Sequence, residues 1–118
     1  MKAYDIWVDL KGHHKDAILF VQYGDFYETF EDDAAVVGRA IVQPRYAVPG
    51  ETGIKGLGLP VSRGLSWLPR LTAKLRGIGK PIVISVPAFS HRPETILRQR
   101  VEYVLQPTID AWATLRQI

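Results

Sequence analysis

The stretch GDFYETF, residues 24–30, places three aromatic side chains and two acids within seven positions. Directly before it, AILFVQY (17–23) has the apolar composition of a buried strand. Alternate side chains of an extended segment share a face, so Phe26, Glu28 and Phe30 fall on one side. A buried Glu28 there would be an unpaired charge, which is expensive. An exposed Phe26 with an acceptor two residues away suits stacking on a nucleobase and hydrogen bonding to its edge.

The same residues also admit a purely structural interpretation. Aromatic side chains at the end of a strand usually pack inward, and Asp25 after Gly24 is common turn chemistry. The residue types alone leave both interpretations open.

Other chemistry has weaker support in this sequence. No cysteine is present, which excludes disulfides, thiolate metal sites and cysteine nucleophiles. The adjacent His13 and His14 and the isolated His91 favour surface roles and no metal site. A loose nuclease-like set (Asp32, Asp33, Glu51 and Lys55) is better explained by helix capping and a turn. We therefore expect no enzymatic activity.

Length and charge indicate the class of protein. The 118 residues predict one domain, 1–118, and no apolar run reaches the roughly 20 residues that span a bilayer. We expect a cytoplasmic protein. Residues 1–38 carry eight acids against three lysines, whereas residues 39–118 carry twelve basic residues against four acids. A one-sided basic segment is typical of a polyanion binder, although it also serves simple solubility.

The coarse pattern predicts an α/β (α+β) fold with a mixed sheet of about five to six strands flanked by helices. The predicted helices cover 5–11, about 32–39, 67–77 and 108–117. The predicted strands cover 17–23, 40–46, 54–60, 81–86 and 99–105, with a glycine-rich hairpin tip before the third and a loop at 90–96.

Several segments resemble the N-terminal mismatch-recognition domain, domain I, of the DNA mismatch repair protein MutS. The strongest is DAILFVQYGDFYETFEDDA (16–34), preceded by WVDLKGHHKD (7–16). The likeness resumes in GLGLPVSRGLSWLPRLTAKLRGIGKPIVIS (56–85) and more weakly in RQRVEYVLQPTI (98–109). The resemblance implies that Phe26 is a wedge that enters the minor groove, and that Glu28 hydrogen-bonds the mispaired or unpaired base. The partner it implies is double-stranded DNA, preferably mismatched.

The sequence also departs from the family pattern. Gln22 stands where the family has an arginine, which removes an expected phosphate contact, Ser62 replaces a histidine, and Val86-Pro87-Ala88 replaces a C-E-Q sequence. These 118 residues contain no Walker motif, so we expect no cofactor, and ATP and Mg²⁺ would belong to other MutS domains. The ending TIDAWATLRQI (108–118) predicts a closing helix, from which we expect a free-standing domain.

Two further expectations concern partners. Phosphate contacts are expected from positions near turns and helix ends, namely Arg39, Arg45, Lys55 and Arg63. The alternative is a domain that keeps the fold but binds a repair or mobile-element protein. Its candidate anchors are Trp67, Tyr103 and Trp112, for which packing in the core is the competing explanation.

Overall fold

The structure, a computed structural model, describes residues 2–75, 77–88 and 100–106. Within these residues, six strands form one sheet in the order β3-β4-β2-β1-β5-β6. The helices are α1 Ala3–Lys11, α2 Glu31–Ile41 and α3 Leu68–Leu75, and a short 3-10 helix covers Val61–Arg63. The strands are β1 Ile18–Tyr23, β2 Phe26–Phe30, β3 Tyr46–Ala47, β4 Lys55–Pro60, β5 Ile82–Pro87 and β6 Arg100–Leu105.

Both strand directions occur in the sheet. The pairs β1–β2, β2–β4, β3–β4 and β5–β6 are antiparallel, whereas β1 and β5 are parallel. The connection from β1 to β2 is the two-residue loop Gly24-Asp25, and Gly24 has a φ of 58° that favours glycine. The predicted mixed α/β sheet is confirmed.

Each face of the sheet carries its own apolar cluster. On one face, α1 packs over Leu19, Val21 and Phe30. On the other face, α2 and α3 cover a larger cluster that includes Phe20 and Tyr27. Strand β1 is buried on both faces, which explains its continuous apolar sequence.

Polar contacts fix the helices to β1. The Lys11 ammonium donates to the buried Asp33 carboxylate at 2.9 Å, and the Leu19 amide donates to the same carboxylate at 3.0 Å. The Trp7 indole donates to the Leu19 carbonyl at 2.9 Å. Asp33 therefore joins the end of α1, the start of β1 and the start of α2.

The prediction of a strand over 40–46 is wrong. Helix α2 continues through Ile41 and ends at Val42, which adopts a left-handed conformation with a φ of 54°. Residues Val37, Ala40 and Ile41 continue the apolar face of the helix at its 3.6-residue period and pack on the core. Pro44 cannot donate a ladder hydrogen bond, so only Tyr46–Ala47 pairs as β3.

The interpretation of GDFYETF as the end of the first strand is also incomplete, because most of this stretch forms a strand of its own. Phe26–Phe30 forms a separate strand, β2, with partners on both sides. The other described elements lie within a few residues of their predicted bounds. The predicted loop at 90–96 and the helix at 108–117 lie outside the described residues.

Among the described residues, no helix has the length and apolar character needed to cross a membrane.

Candidate functional site

The hairpin of β1 and β2 presents Phe26 at the end of the sheet. Phe26 pairs with Tyr23 on β1 and with Pro60 on β4, and its side chain is 47% exposed. Because β2 lies inside the sheet, its backbone is held from both sides. An exposed ring on a rigid strand can stack on a flat partner at little cost in ordering.

The residues of β2 alternate between the two faces. Phe30 lies beneath α1, where its ring meets those of Tyr4 and Trp7 edge-on at 5.3 Å and 5.8 Å. Tyr27 is buried on the opposite face, with its ring 6.0 Å from that of Trp67. The face that carries Phe26 therefore runs from the core at Phe30, through the half-buried Glu28, to solvent at Phe26. Tyr27 and Phe30 therefore pack inward, as the structural interpretation predicts, whereas Phe26 is exposed.

Two glycines of β4 make room for the aromatic rings of this face. Gly58 lies opposite Glu28, and a Cβ atom at Gly58 would lie 3.4 Å from Cδ1 of Phe26. Gly56 lies opposite Phe30, and a Cβ atom there would lie 2.9 Å from both the Phe30 ring and Cζ of Tyr46. Gly56 and Gly58, the alternating glycines of KGLGLP, thus leave space in which the rings of Phe26, Phe30 and Tyr46 pack against β4.

Tyr46 is a site residue that the sequence analysis missed. Its hydroxyl donates a hydrogen bond of 2.6 Å to Oε1 of Glu28. Burial, this hydrogen bond and the charge of Glu28 all raise the pKa of Tyr46 above its ordinary value, so the hydroxyl keeps its proton. The register of the β3–β4 hairpin, which sets Tyr46 opposite Gly56, is the signal that could have found it.

The four predicted phosphate contacts are exposed but do not lie together. Arg63 ends the 3-10 helix after β4, whose Val61 amide donates to the Asp25 carbonyl at 2.8 Å, and it lines a cavity with Trp67 and Arg70. Arg45 and Lys55 line one cleft at the other end of β4, a cleft that also contains Glu31 and Asp32. Arg39 lies in the last turn of α2, over the face opposite Phe26.

Gln22, which stands where the family has an arginine, is bonded through its backbone to another arginine, Arg100. The Gln22 carbonyl accepts a hydrogen bond of 2.5 Å from Arg100 of β6. The same guanidinium donates to the carbonyl and the hydroxyl of Ser85. Burial lowers the pKa of Arg100, while the charge of Glu102 opposes this shift. Arg100 therefore connects three strands, β1, β5 and β6.

His13, His14 and Trp67 lie away from Phe26, and His91 lies outside the described residues. His13 is exposed, and His14 lies 2.8 Å from Glu102. Trp67 packs on the core, with its ring centroid 4.6 Å from that of Phe20, so the packing explanation holds for this residue. Tyr103 is half-buried, and Trp112 lies outside the described residues. No group of three or more potential metal ligands occurs among the residues that the structure describes.

The fold and this site define an α/β domain that displays an aromatic ring and a carboxylate together on one face of a mixed sheet. The chain belongs to the MutS domain I family, whose model matches residues 2–78.

Individual relatives match over shorter segments. A DNA mismatch repair protein MutS from Sorangium cellulosum is 54% identical over 41 residues, which are 35% of this chain and 4% of that protein. The protein of the same name from a Bradyrhizobium species is 37% identical over 70 residues, 58% of this chain and 8% of that protein. A third, from Chlorobium phaeovibrioides, is 36% identical over 70 residues, with the same coverage. The chain thus spans less than a tenth of the length of these curated relatives.

Proposed function

We propose that this domain binds duplex DNA and detects mispaired or unpaired bases with Phe26 and Glu28. Membership in the MutS domain I family and the names of the relatives support a role in DNA recognition. The observation that carries the proposal is the exposed Phe26 ring at the hairpin end, with Glu28 next along the same face of the strand.

The free-energy cost of inserting the Phe26 ring between base steps explains how such a site distinguishes defective from fully paired duplex. Inserting a ring between base steps costs a few kcal/mol of unstacking, and costs less where pairing is already defective. A carboxylate near phosphates is repelled, so Glu28 disfavours intact duplex unless a displaced base offers it a donor. The affinity must then come from basic residues, and we propose Arg63, in the turn that the Val61–Asp25 hydrogen bond joins to the hairpin, as one of them.

In this proposal the domain recognises DNA and catalyses no reaction. ATP and Mg²⁺ would belong to other MutS domains, and this domain alone should bind weakly, because the family clamps DNA with other domains and as a dimer.

The test compares a duplex that contains a G·T pair or a single unpaired base with its fully paired control, by fluorescence anisotropy at fixed salt. Wild-type protein should prefer the defective duplex, and Phe26→Ala should remove that preference, since base–aromatic stacking contributes about 1–3 kcal/mol. Val8→Ala is the matched control, because Val8 is also 47% exposed but lies on α1. Equal binding of both duplexes by wild-type protein would refute the proposal.

A second candidate function is protein binding on the same fold. Val101 and Val104 of β6 are exposed, 42% and 54%, and provide apolar contact area away from Phe26. A contact of this kind should respond little to ionic strength, whereas DNA binding should weaken steeply. Recovery of one repair or mobile-element protein after nuclease treatment, with no DNA affinity, would favour this function.

A further inference from the structure

A cavity of about 250 Å³ lies where the end of β4 approaches the start of α3. Apolar groups form one part of its lining, namely Ile41 of α2, Leu59 and Pro60 of β4, and Trp67. Leu59 belongs to the buried core, and Trp67 packs against that core, so the fold itself fixes this wall. A preformed cavity with apolar walls and a few polar groups is the usual form of a small-molecule site.

The polar side chains of the same lining carry positive charge and no negative charge. They are Gln43, Arg63, Ser66 and Arg70, and all four are exposed. None of the described residues that line the cavity is acidic, and neither arginine forms an ion pair within the described part of the chain. Arginine binds carboxylate and phosphate groups through two parallel hydrogen bonds. This site, which we call the arginine cavity after Arg63 and Arg70, therefore favours an anion.

Trp67 adds an unused hydrogen-bond donor to this lining. Its indole N–H is buried and has no hydrogen-bond partner among the described residues. A buried donor without a partner is costly, so such groups are nearly always paired in folded proteins. The residue also directly precedes α3, whose first N–H groups give that end of the helix a partial positive charge. An acceptor atom of a bound anion would supply the partner that the described residues do not give to Trp67.

We propose that the arginine cavity binds a small organic anion, in which a carboxylate or phosphate group is joined to an apolar ring. The anionic group lies between Arg63 and Arg70 and accepts a hydrogen bond from the Trp67 indole, while the ring packs on the apolar wall. This wall favours such a molecule over a phosphate of duplex DNA, which is attached to polar sugars and would leave the wall uncovered. The cavity lies on the side of the sheet that α2 and α3 cover, opposite Glu28, so its ligand is not the base proposed for Phe26 and Glu28.

The first experiment titrates small probes into the isotopically labelled protein and follows the NMR resonance of the Trp67 indole N–H, assigned by its absence in Trp67→Phe. Benzoate and phenyl phosphate, which join an anion to a ring, should shift this resonance to saturation. Acetate and inorganic phosphate lack the ring, and benzyl alcohol lacks the charge, so each should bind at least about tenfold more weakly. The Trp7 indole is the internal control, because it already donates to the Leu19 carbonyl and should not shift. The relative affinities of benzoate and phenyl phosphate distinguish a carboxylate ligand from a phosphate ligand.

The second experiment tests the two arginines. Arg63→Gln and Arg70→Gln each remove a charged hydrogen-bond donor, and each should weaken benzoate binding about tenfold. Arg45→Gln is the matched control, since Arg45 is also exposed but lines a different cleft with Glu31 and Asp32. It should bind benzoate as tightly as the wild-type protein does. Because all three arginines are exposed, each variant should keep the dispersed NMR spectrum of a folded protein.

The probe titrations contain no DNA, so their outcome is separate from that of the experiment with defective duplex. The proposal would be overturned if neither benzoate nor phenyl phosphate bound more tightly than acetate and benzyl alcohol. Equal affinities of Arg45→Gln and Arg70→Gln for benzoate would overturn it as well. A parallel titration with duplex DNA gives the last outcome: if DNA or inorganic phosphate shifted the Trp67 resonance and the two ring probes did not, the cavity would be a phosphate contact only, and the proposal would be rejected.

Discussion

Gly56 occupies the most crowded position beneath the site. A Cβ atom there would lie 2.9 Å from two carbon atoms of the Phe30 ring and from Cζ of Tyr46. Since Phe30 is 1% exposed and packed beneath α1, it cannot move aside without disturbing the core. We expect Gly56→Ala to lower the free energy of unfolding by about 1–3 kcal/mol, as overpacking usually does. Urea denaturation measures this change.

Gly58→Ala provides the comparison on the same strand. Its Cβ atom would meet Cδ1 of the exposed Phe26 at 3.4 Å, and that ring has solvent into which it can turn. The loss of stability should therefore be clearly smaller than for Gly56→Ala. Equal losses in the two variants would contradict the packing described for Phe30 and Tyr46.

Tyr46 makes stability depend on pH at the alkaline end. Burial, followed by the hydrogen bond and charge of Glu28, raises its pKa above the ordinary value of 10.0. The folded protein thus holds this proton more tightly than the unfolded chain does. The resulting stabilisation is complete below pH 10 and is lost as the pH rises above that value toward the folded pKa. We expect the free energy of unfolding, measured by denaturant titration from pH 8 to 11, to fall at the upper end.

Tyr46→Phe removes the group responsible and should make the alkaline decline shallower. Part of the decline should remain, because burial also raises the pKa values of Tyr4 and Tyr27. An identical decline in wild type and variant would mean that burial and Glu28 do not raise the pKa of Tyr46 in the folded protein.

At the scale of the elements, the contact between Lys11 and Asp33 joins α1 to α2 and β1. Asp33 is 3% exposed and accepts hydrogen bonds from both Lys11 and the Leu19 amide. Loss of one partner leaves the other charge poorly solvated, so each single variant, Lys11→Met and Asp33→Asn, should destabilise the fold by about 2–4 kcal/mol. A double-mutant cycle should give a coupling free energy of about 1–3 kcal/mol by urea denaturation.

The same cycle on His14 and Glu102 is the comparison. Their contact of 2.8 Å is more exposed at the acid, and exposed pairs contribute little. Its coupling at neutral pH should be well below that of Lys11 and Asp33. Additive effects of Lys11→Met and Asp33→Asn would rule out the buried contact as a joint between the helices.

The sequence predicts elements that have a local pattern better than it predicts the register between strands. The apolar run of β1, the acids at the start of α2 and the leucine period of α3 are local signals, and these elements appear where predicted. β3 depends on its pairing with β4, so residues 40–46 were assigned wrongly from composition alone. Phe26 and Glu28 could be selected from residue type, whereas Tyr46 could not, since its contact with Glu28 spans 18 residues of sequence.

At the scale of the whole molecule, folding brings acids of the first segment (1–38) next to basic residues of the second (39–118). The acids of α2 come to line one cleft with Arg45 and Lys55, so opposite charges from the two segments face each other there. Arg63, by contrast, lies in the turn after β4 that the Val61–Asp25 hydrogen bond joins to the hairpin end, and it shares a cavity with Arg70. Of the four predicted phosphate contacts, Arg63 is therefore the one in the turn joined to the hairpin end, and it shares its cavity with a second arginine.

This arrangement leads to a prediction for the salt dependence of DNA binding. Each phosphate contact contributes a slope of about one to the dependence of log affinity on log salt concentration. Arg63→Ala should lower that slope by about one and weaken binding to paired and mismatched duplexes equally, because phosphate contacts carry no sequence information. Lys55 lies five residues before Pro60 on β4, roughly 17 Å from the register of Phe26, and shares its cleft with Glu31 and Asp32. Lys55→Ala should therefore lower the slope by less than one.

Lys74→Ala is the matched control, since Lys74 is an exposed cation in the last turn of α3, where the helix dipole accounts for it. It should leave the slope unchanged. Anisotropy titrations at several salt concentrations, with a mismatched and a paired duplex for each variant, measure slope and preference together. If Arg63→Ala abolished only the preference for mismatched DNA, or Lys74→Ala lowered the slope as much as Arg63→Ala, then Arg63 would not be the phosphate contact that this prediction makes it.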